Sequence, residues 1–567
     1  MENRRQFFRR LALQKQLLPA PTPLNRAAIP PPVAVVAPRP PTTTGINLYT
    51  GTYGKKEILH LLRRTLYGTS MASYNTFKNL SLDDAVELLL TEAPTPPDPV
   101  NDYNNAGYDI NDTNVPLGET WVNAPHGQNI EYWRELSYKS YLLDLAINQN
   151  SSIHEKMILF WHNHLATETF AIFDARLSYR HFNILRQRAL GNFKTMVREV
   201  TTDPLMLYYL NGTYNNQYQP DENYARELQE LFCIGKGPDS AYTEDDVQAA
   251  ARVLTGWSVN WDTGGLTSTF AVWAHDTGDK QFSDFYNNTL IQGQSGTDGA
   301  NELDQLLDMV FATNECAKHV CRKIYRFFVY HTIDQSVEDL VIAPLADIFR
   351  NNNYEIKPVL RALLKSEHFF DMANRGAIIK SPMDYMMGAF REFDFQLPPT
   401  ATDGYELRKH LYWTAEDMLQ GIGDPPNVAG WPAYYQAPSY NKQWATTATL
   451  PKRAMNSDRM LYWGFDVFGT VYRIDPVALT TQIPNAADPN LLINNVLGLM
   501  LAVPVSDTVK QSLKNDLLSG ESSDYYWTDA WNNYLANPTD EMAYGTVHSR
   551  LRAMYRQIMQ LEEYQLM

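Results

Sequence analysis

Between Pro220 and Gly235 the chain reads PDENYARELQELFCIG, which places Asp221, Glu222, Glu227 and Glu230 on one short helix beside a single arginine, Arg226. Two carboxylates held near a sugar can cleave a glycosidic bond. One protonates the leaving oxygen while the other activates water or attacks. Glu227 and Glu230 are the candidates for this pair, and Asn223 and Arg226 on the same polar ridge are candidate binding groups beside them. The competing reading is a helix-packing ion network in which these acids meet Arg63 or Arg64, because structural charge networks are commoner than catalytic ones.

A second cluster, Phe160-Trp161-His162-Asn163-His164, offers His162 and His164 as ligands for a divalent metal, with Glu227 and Glu230 adding oxygen from another helix. Residues two apart on a helix point to nearly opposite sides, so a shared metal requires the helix to end or distort there. The zinc-protease spacing is absent, as is the Glu-x-x-His signature of helical-bundle metal sites. The competing reading makes both imidazoles hydrogen-bonded core residues. Other chemistries find less support. There is no GxSxG elbow and no glycine-rich phosphate loop, so no cofactor-binding residue is assigned. Cys233 ends an apolar helix face and reads as an inert buried thiol, and the loop pair His275-Asp276 reads as a turn.

The elements that must position these groups are helices. Asp221 and Glu222 suit the positive end of a helix starting at Pro220, and Gly235 supplies its stop. Tyr224, Leu228, Leu231 and Phe232 recur at helical spacing and should face the core, leaving Asn223, Glu227 and Glu230 half exposed. A second helix starts at Thr243, with Asp246 completing a capping box. Apolar periodicity predicts many more helices, among them Ile58–Leu66, Ser81–Leu90, Tyr132–Ile147, Ser152–Leu165, Ala317–Val329, Ser381–Phe393, Tyr405–Met418 and Ser549–Glu562. No strand–helix alternation or fixed repeat occurs. The fold class is therefore mainly α, a large multi-helix domain with long aromatic-rich polar loops and at most a few short strands, Leu266–Trp273 being the best. The loops span residues 101–131, 257–290 and 431–444, with a further cluster from Tyr525 to Tyr534. Loops this long and this aromatic read as ordered surface structure, either functional or simply packed with Trp and Tyr closing the core, Trp431 then anchoring the Pro425–Pro432 turn. Trp257, Trp273 and Trp431 are candidates to stack on the apolar faces of sugar rings while Asn, Asp and Gln bind hydroxyls.

The block NYARELQELFCIG followed by YTEDDVQAAARVLTGW resembles the signature of a bacterial family known as domain of unknown function 1800. HLLRRTLYG (His60–Gly68), MILFWHNHLA (Met157–Ala166), KSP (Lys380–Pro382), PPNVAGWP (Pro425–Pro432) and the closing Glu563-Tyr564-Gln565 look like its other landmarks, in the same order, so the resemblance covers about residues 55–567. It implies the family's helical fold and carries no agreed activity. Relatives are often exported and often encoded beside proteins of unknown-function family 1501, which resemble the alkaline phosphatase and sulfatase group. A partner of that kind is implied by the resemblance.

Composition sets the remaining bounds. A net charge of −16 from 48 basic and 64 acidic residues argues against nucleic acid, since it repels a phosphate backbone. Three cysteines, Cys233, Cys316 and Cys321, form no disulfide framework. No apolar run approaches the roughly 18 residues of a membrane span. Residues 1–50 read as a basic and then proline-rich flexible arm. Arg4-Arg5-Gln6-Phe7-Phe8-Arg9 resembles a twin-arginine export motif but lacks the apolar stretch that should follow it. The domain expected after the arm, residues 51–567, is single. These readings describe a periplasmic, cell-surface or secreted protein that binds or processes a polysaccharide or another cell-surface polymer, with or without catalysis. The alternatives are a cytoplasmic location and a structural or scaffolding protein whose signature motifs form a buried polar core.

Overall fold

Side-chain caps mark where most helices begin. In the computed structural model, which describes residues 40–107, 110–127 and 129–567, α1 (Lys55–Thr65) starts where the Glu57 carboxylate accepts from the Gly54 amide at 3.0 Å. Next come α2 (Glu131–Ile147), α3 (His154–His164), α4 (Ala175–Arg188) and α5 (Pro204–Tyr209). The signature helix is α6 (Glu222–Glu227). Asp221 is its cap, accepting from the Asn223 amide at 2.8 Å, so Pro220 lies just outside the helix instead of at its first position. The Thr243–Asp246 capping box opens α7 (Glu244–Val253) as expected. Then follow α8 (Asn314–Phe328), α9 (Pro382–Glu392), α10 (Ala401–Asp417), α11 (Tyr525–Ala536) and α12 (Glu541–Gln560). At 57% helix the chain is mainly α, far above the third usual for globular proteins. No described helix is long and apolar enough to cross a membrane.

Strands pair only as two-stranded antiparallel hairpins among the described residues: β1 (Trp257–Asn260) with β2 (Thr267–Phe270), β3 (Lys280–Gln281) with β4 (Leu290–Ile291), and β5 (Phe465–Val467) with β6 (Thr470–Tyr472). The strand expected over Leu266–Trp273 is shorter, because the chain tightens into a 3₁₀ turn at Val272–Ala274. The aromatic cluster from Tyr525 to Tyr534, expected as loop, is helix α11. Trp527, Trp531 and Tyr534 follow the helical period, and Trp527 and Trp531 bury their stacked rings, with Trp527 Nε1 donating to the Ala486 carbonyl at 2.8 Å.

The interior is unusually polar around α2, which packs on α4 and α10. Arg134 binds Asp112 and Glu131 at 2.7 and 2.9 Å, fully buried, and Tyr103 donates to Asp112 at 2.9 Å. These bonds order the loop ahead of α2; its Tyr108 lies outside the described residues. Most of the expected N-terminal arm, including Arg4 to Arg9, also lies outside them. Residues 42–567 form one packed unit, which begins earlier than Gly54. The Tyr49 amide donates to the Lys365 carbonyl at 2.8 Å, and Thr44 hydrogen-bonds His368 and Asp371, each at 3.1 Å.

Candidate functional site

The signature helix α6 does not end as an α-helix. It continues as one wide π turn, Leu228–Cys233, in which the Ile234 and Gly235 amides both donate to the Gln229 carbonyl at 2.8 and 3.0 Å. Such a turn leaves carbonyls near the helix end without helical partners. Two histidines take them. His164 Nε2 donates to the Phe232 carbonyl at 2.9 Å, and His319 Nε2, from α8, donates to the Leu231 carbonyl at 2.8 Å. A carbonyl only accepts, so both rings carry their proton on Nε2. Burial pushes the His164 imidazole down to about 3, with Lys323 adding to the effect, and lowers His319 well below the ordinary range. Both are neutral donors at physiological pH. Gly235 has φ +84°, and a Cβ there would lie 2.4 Å from His319 Nδ1, so glycine is required for the imidazole to approach.

His162 lies elsewhere. Its ring packs on Phe182 at 4.5 Å and edge-on to Trp431 at 5.4 Å, and both its nitrogens are buried without a hydrogen-bond partner. The metal expected to be shared by His162 and His164 has no ligand set, because α3 stays helical through both residues and sends them to different neighbours. Among the described residues no three His, Cys, Asp or Glu side chains are placed to hold a metal ion. Between them, Asn163 organises a second family motif. Its Oδ1 accepts from the Trp431 amide at 2.8 Å, and a Cβ on Gly430, at φ +88°, would strike the Asn163 carbonyl oxygen at 2.3 Å. Trp431 is 1% exposed, so it locks the PPNVAGWP turn onto α3 and is not available to stack on a ligand, contrary to expectation.

Near His162 lie further buried polar groups that sequence reading missed. Glu135 Oε2, Tyr138 Oη and His181 Nε2 are also buried without partners. Asp203 holds His181 Nδ1 at 3.0 Å, and Ser178 donates to Glu135 at 2.9 Å. Burial raises Glu135 to about 8, opposed by the nearby Lys139 ammonium, so this carboxyl is protonated at neutral pH. Glu135, Tyr138, His162 and His181 thus contribute a group of buried polar atoms without hydrogen-bond partners. Its burial keeps polymers out. One turn from Glu135, Lys139 pairs with Asp424, whose other oxygen accepts from Thr169 Oγ1 and the Phe170 amide at 3.1 and 3.0 Å.

The acidic ridge is half buried, as its spacing implied. Among the described residues Glu227 has no ion-pair partner, and burial together with Glu230 raises it above the ordinary carboxylate range. Glu230 pairs with Lys236, and Arg226 forms exposed bridges to Glu222 at 2.9 Å and Glu244 at 2.7 Å. Arg63 and Arg64, expected as partners of these acids, instead donate to backbone carbonyls, Arg63 to Leu499 at 2.7 Å and Arg64 to Asn374 at 2.6 Å. At the end of α5 the Tyr209 hydroxyl, half buried, is pushed up to about 12 by burial and by Glu168, Asp424 and Glu227. The other small motifs are structural. Cys233 is buried and burial raises its thiol, while His275 binds Glu302 at 3.1 Å and Asp276 binds Arg252 at 2.7 Å.

Next to Tyr209, Tyr208 turns to an aromatic surface. Its ring meets Trp261 at 5.9 Å. Trp261 is 68%, Trp273 73%, Tyr214 67% and Tyr218 81% exposed. The segment carrying the two tyrosines is stitched to the one carrying the two tryptophans. Gln217 donates from its backbone to the Ala274 carbonyl at 2.7 Å and from Nε2 to the Trp273 carbonyl at 2.6 Å, and the Val259 amide donates to Thr213 Oγ1 at 3.2 Å. Asn216 Oδ1 accepts from the Tyr218 and Gln219 amides at 3.0 and 3.2 Å. Trp273 thus presents its ring to solvent. Trp257 is half buried, edge-on to Phe270 at 5.3 Å, and Asn223 is half buried on α6. Tyr214 and Tyr218 could have been found from the amide-rich run YNNQYQP, whereas nothing local marks His319 or Glu135.

The family profile described as protein of unknown function DUF1800 matches residues 60–566, and the chain belongs to that family. No curated protein and no solved structure matches the chain.

Proposed function

We propose that this protein binds a polysaccharide or another cell-surface polymer, working at the cell envelope or outside the cell. The observation that carries the reading is the aromatic surface formed by Tyr214, Tyr218, Trp261 and Trp273 on a backbone that hydrogen bonds hold in place. Single exposed aromatics are ordinary, but several on one stitched platform supply flat apolar faces with amides at the rim, the chemistry that sugar rings match. Tyr208, whose ring meets Trp261, and Tyr209, whose hydroxyl feels the Glu227 charge, are consecutive in α5 and link the aromatic surface to this acid. In the processing form of the proposal Glu227, held protonated more readily than an ordinary Glu, is the proton donor. A sulfatase- or phosphatase-like partner of unknown-function family 1501 fits as the enzyme that trims the same polymer.

Retention on insoluble glycans tests the binding reading. The wild type should be retained and released by soluble oligosaccharide, and the double variant Trp261→Ala, Trp273→Ala should lose at least about tenfold in affinity, the loss usual when central aromatic contacts are removed. Equal retention of both proteins would remove the platform from the proposal. Release of reducing ends by the wild type and not by Glu227→Gln would add catalysis. The second reading, a scaffold whose motifs hold the fold, is favoured by the internal role of His164 and Trp431, and it predicts retention of a partner protein in place of glycan.

A further inference from the structure

The exposed rings of Tyr214, Tyr218, Trp261 and Trp273 sit on two stretches of chain, residues 199–225 and 253–279, that hold no lysine or arginine. The bases that bound these stretches are each tied to an acid. Arg198 binds Asp304 at 2.5 Å, Arg226 binds Glu244 at 2.7 Å, Arg252 binds Asp276 at 2.7 Å, and Lys280 binds Glu302 at 2.5 Å. From a more distant segment the charge that reaches the surface is again an acid: the Tyr208 hydroxyl is pushed up by burial, then by Tyr214 and Asp174, and Asp174 is paired with Arg176 at 2.6 Å.

Two acids of the same stretches have no ion-pair partner among the described residues. Asp262 follows Trp261 directly and is exposed, its amide donating to Asn260 Oδ1 at 3.0 Å. Asp221 caps α6 three residues after Tyr218, its amide donating to Asn215 Oδ1 at 2.9 Å. The β1–β2 turn holds Trp261 beside Asp262, since a Cβ on Gly265, at φ +82°, would stand 3.5 Å from the indole. Faces of Trp and Tyr attract cations through the ring quadrupole. Carboxylates without counter-ions add to that attraction and repel anions, in the same sense as the net charge of −16.

We infer that this surface selects a glycan whose sugars carry unacetylated amines, an amino-sugar polymer in its cationic form, over neutral chains and over chains bearing carboxylate or sulfate. The inference rests on the polymer-binding reading above and adds the substrate class. Trp261 stacks on a sugar face while Asp262 takes the ammonium, and the other three rings receive neighbouring sugars.

The test is calorimetry of the full chain with oligosaccharides of equal length: a glucosamine oligomer, its N-acetylated form, a cello-oligosaccharide and an oligoglucuronate, with oligolysine as a basic polypeptide. The glucosamine oligomer should bind about tenfold more tightly than its N-acetylated form, and the advantage should shrink as salt is added or as pH rises through the titration of the amine. Asp262→Asn should remove most of that advantage, and Asp221→Asn, which keeps a capping side chain, gives a second readout. Equal binding of the glucosamine, N-acetylated and cello-oligomers, an advantage unchanged in both variants, or tighter binding of oligoglucuronate would overturn the amine selectivity and leave the polymer reading standing. No saturable binding of any of these sugars would overturn both. Oligolysine binding more tightly than the glucosamine oligomer, and lost in the Trp261→Ala, Trp273→Ala variant, would make a basic polypeptide the occupant and overturn the inference.

Discussion

His164 and His319 each close a carbonyl that the π turn strands, so each is a structural donor whose loss leaves a buried acceptor unpaired. His164→Ala and His319→Ala should each cost about 1–3 kcal/mol, the usual range for an orphaned buried polar group, measurable as a lowered urea midpoint with unchanged slope. Gly235→Ala should cost at least as much, because it adds a Cβ against His319 at a left-handed backbone position. Glu135 behaves in the opposite sense. Its folded pKa, about 8, lies above the unfolded value of about 4.3, so its contribution is complete below pH 4 and is lost as pH rises toward 8. Glu135→Gln should therefore raise stability at pH 7 to 8 and flatten its alkaline decline; a variant that is less stable there would show that the ionised carboxylate is the form held. The acid ridge on α6 was legible at this scale because it follows from residue spacing. Its partners were not, since Lys236 lies in the next loop and Arg63 and Arg64 turned to backbone carbonyls.

At the scale of elements, two tryptophans with similar local sequence signals have opposite roles. Trp431 is anchored through Asn163 of α3 and packed by His162, whereas Trp273 sits on a 3₁₀ turn beside the β1–β2 hairpin with its ring in solvent. Trp431→Ala should destabilise by about 3–5 kcal/mol, as large core truncations do, and Trp273→Ala by no more than about 0.5 kcal/mol, typical of surface changes. Chemical denaturation of the two variants distinguishes them directly; comparable losses would place Trp273 in the core. Helix starts such as Thr243 with Asp246 could be read from sequence because caps are local hydrogen bonds. The π turn could not, because widening by one residue is decided by what packs against the helix end, here two imidazoles from other helices.

Across the whole molecule, buried titratable groups oppose one another. His60, His162, His164 and His319 are all held below the ordinary imidazole range, chiefly by burial. Their unfolded forms protonate near pH 6.5 while the folded forms stay neutral, so stability falls as pH drops below that value. Asp102, raised to about 7, and Glu135, raised to about 8, both chiefly by burial, remove stability as pH climbs from about 4 to 8. Denaturation midpoints should peak near pH 6 and decline on both sides. A flat profile from pH 5 to 8 would mean that these groups keep their unfolded pKa values.

The family, the helical class and most helix starts follow from the sequence itself, because periodicity, caps and glycine stops act over a few residues. Tertiary structure alone decided which face each functional-looking side chain would take. His162 and His164 are two residues apart, yet one packs between Phe182 and Trp431 and the other closes a helix end. Lys323 and Arg326 resemble any surface cations in the sequence, and only the packing of α8 against residues 431–444 leaves them partly buried. Burial and partnership depend on residues distant along the chain, and no local spacing encodes them.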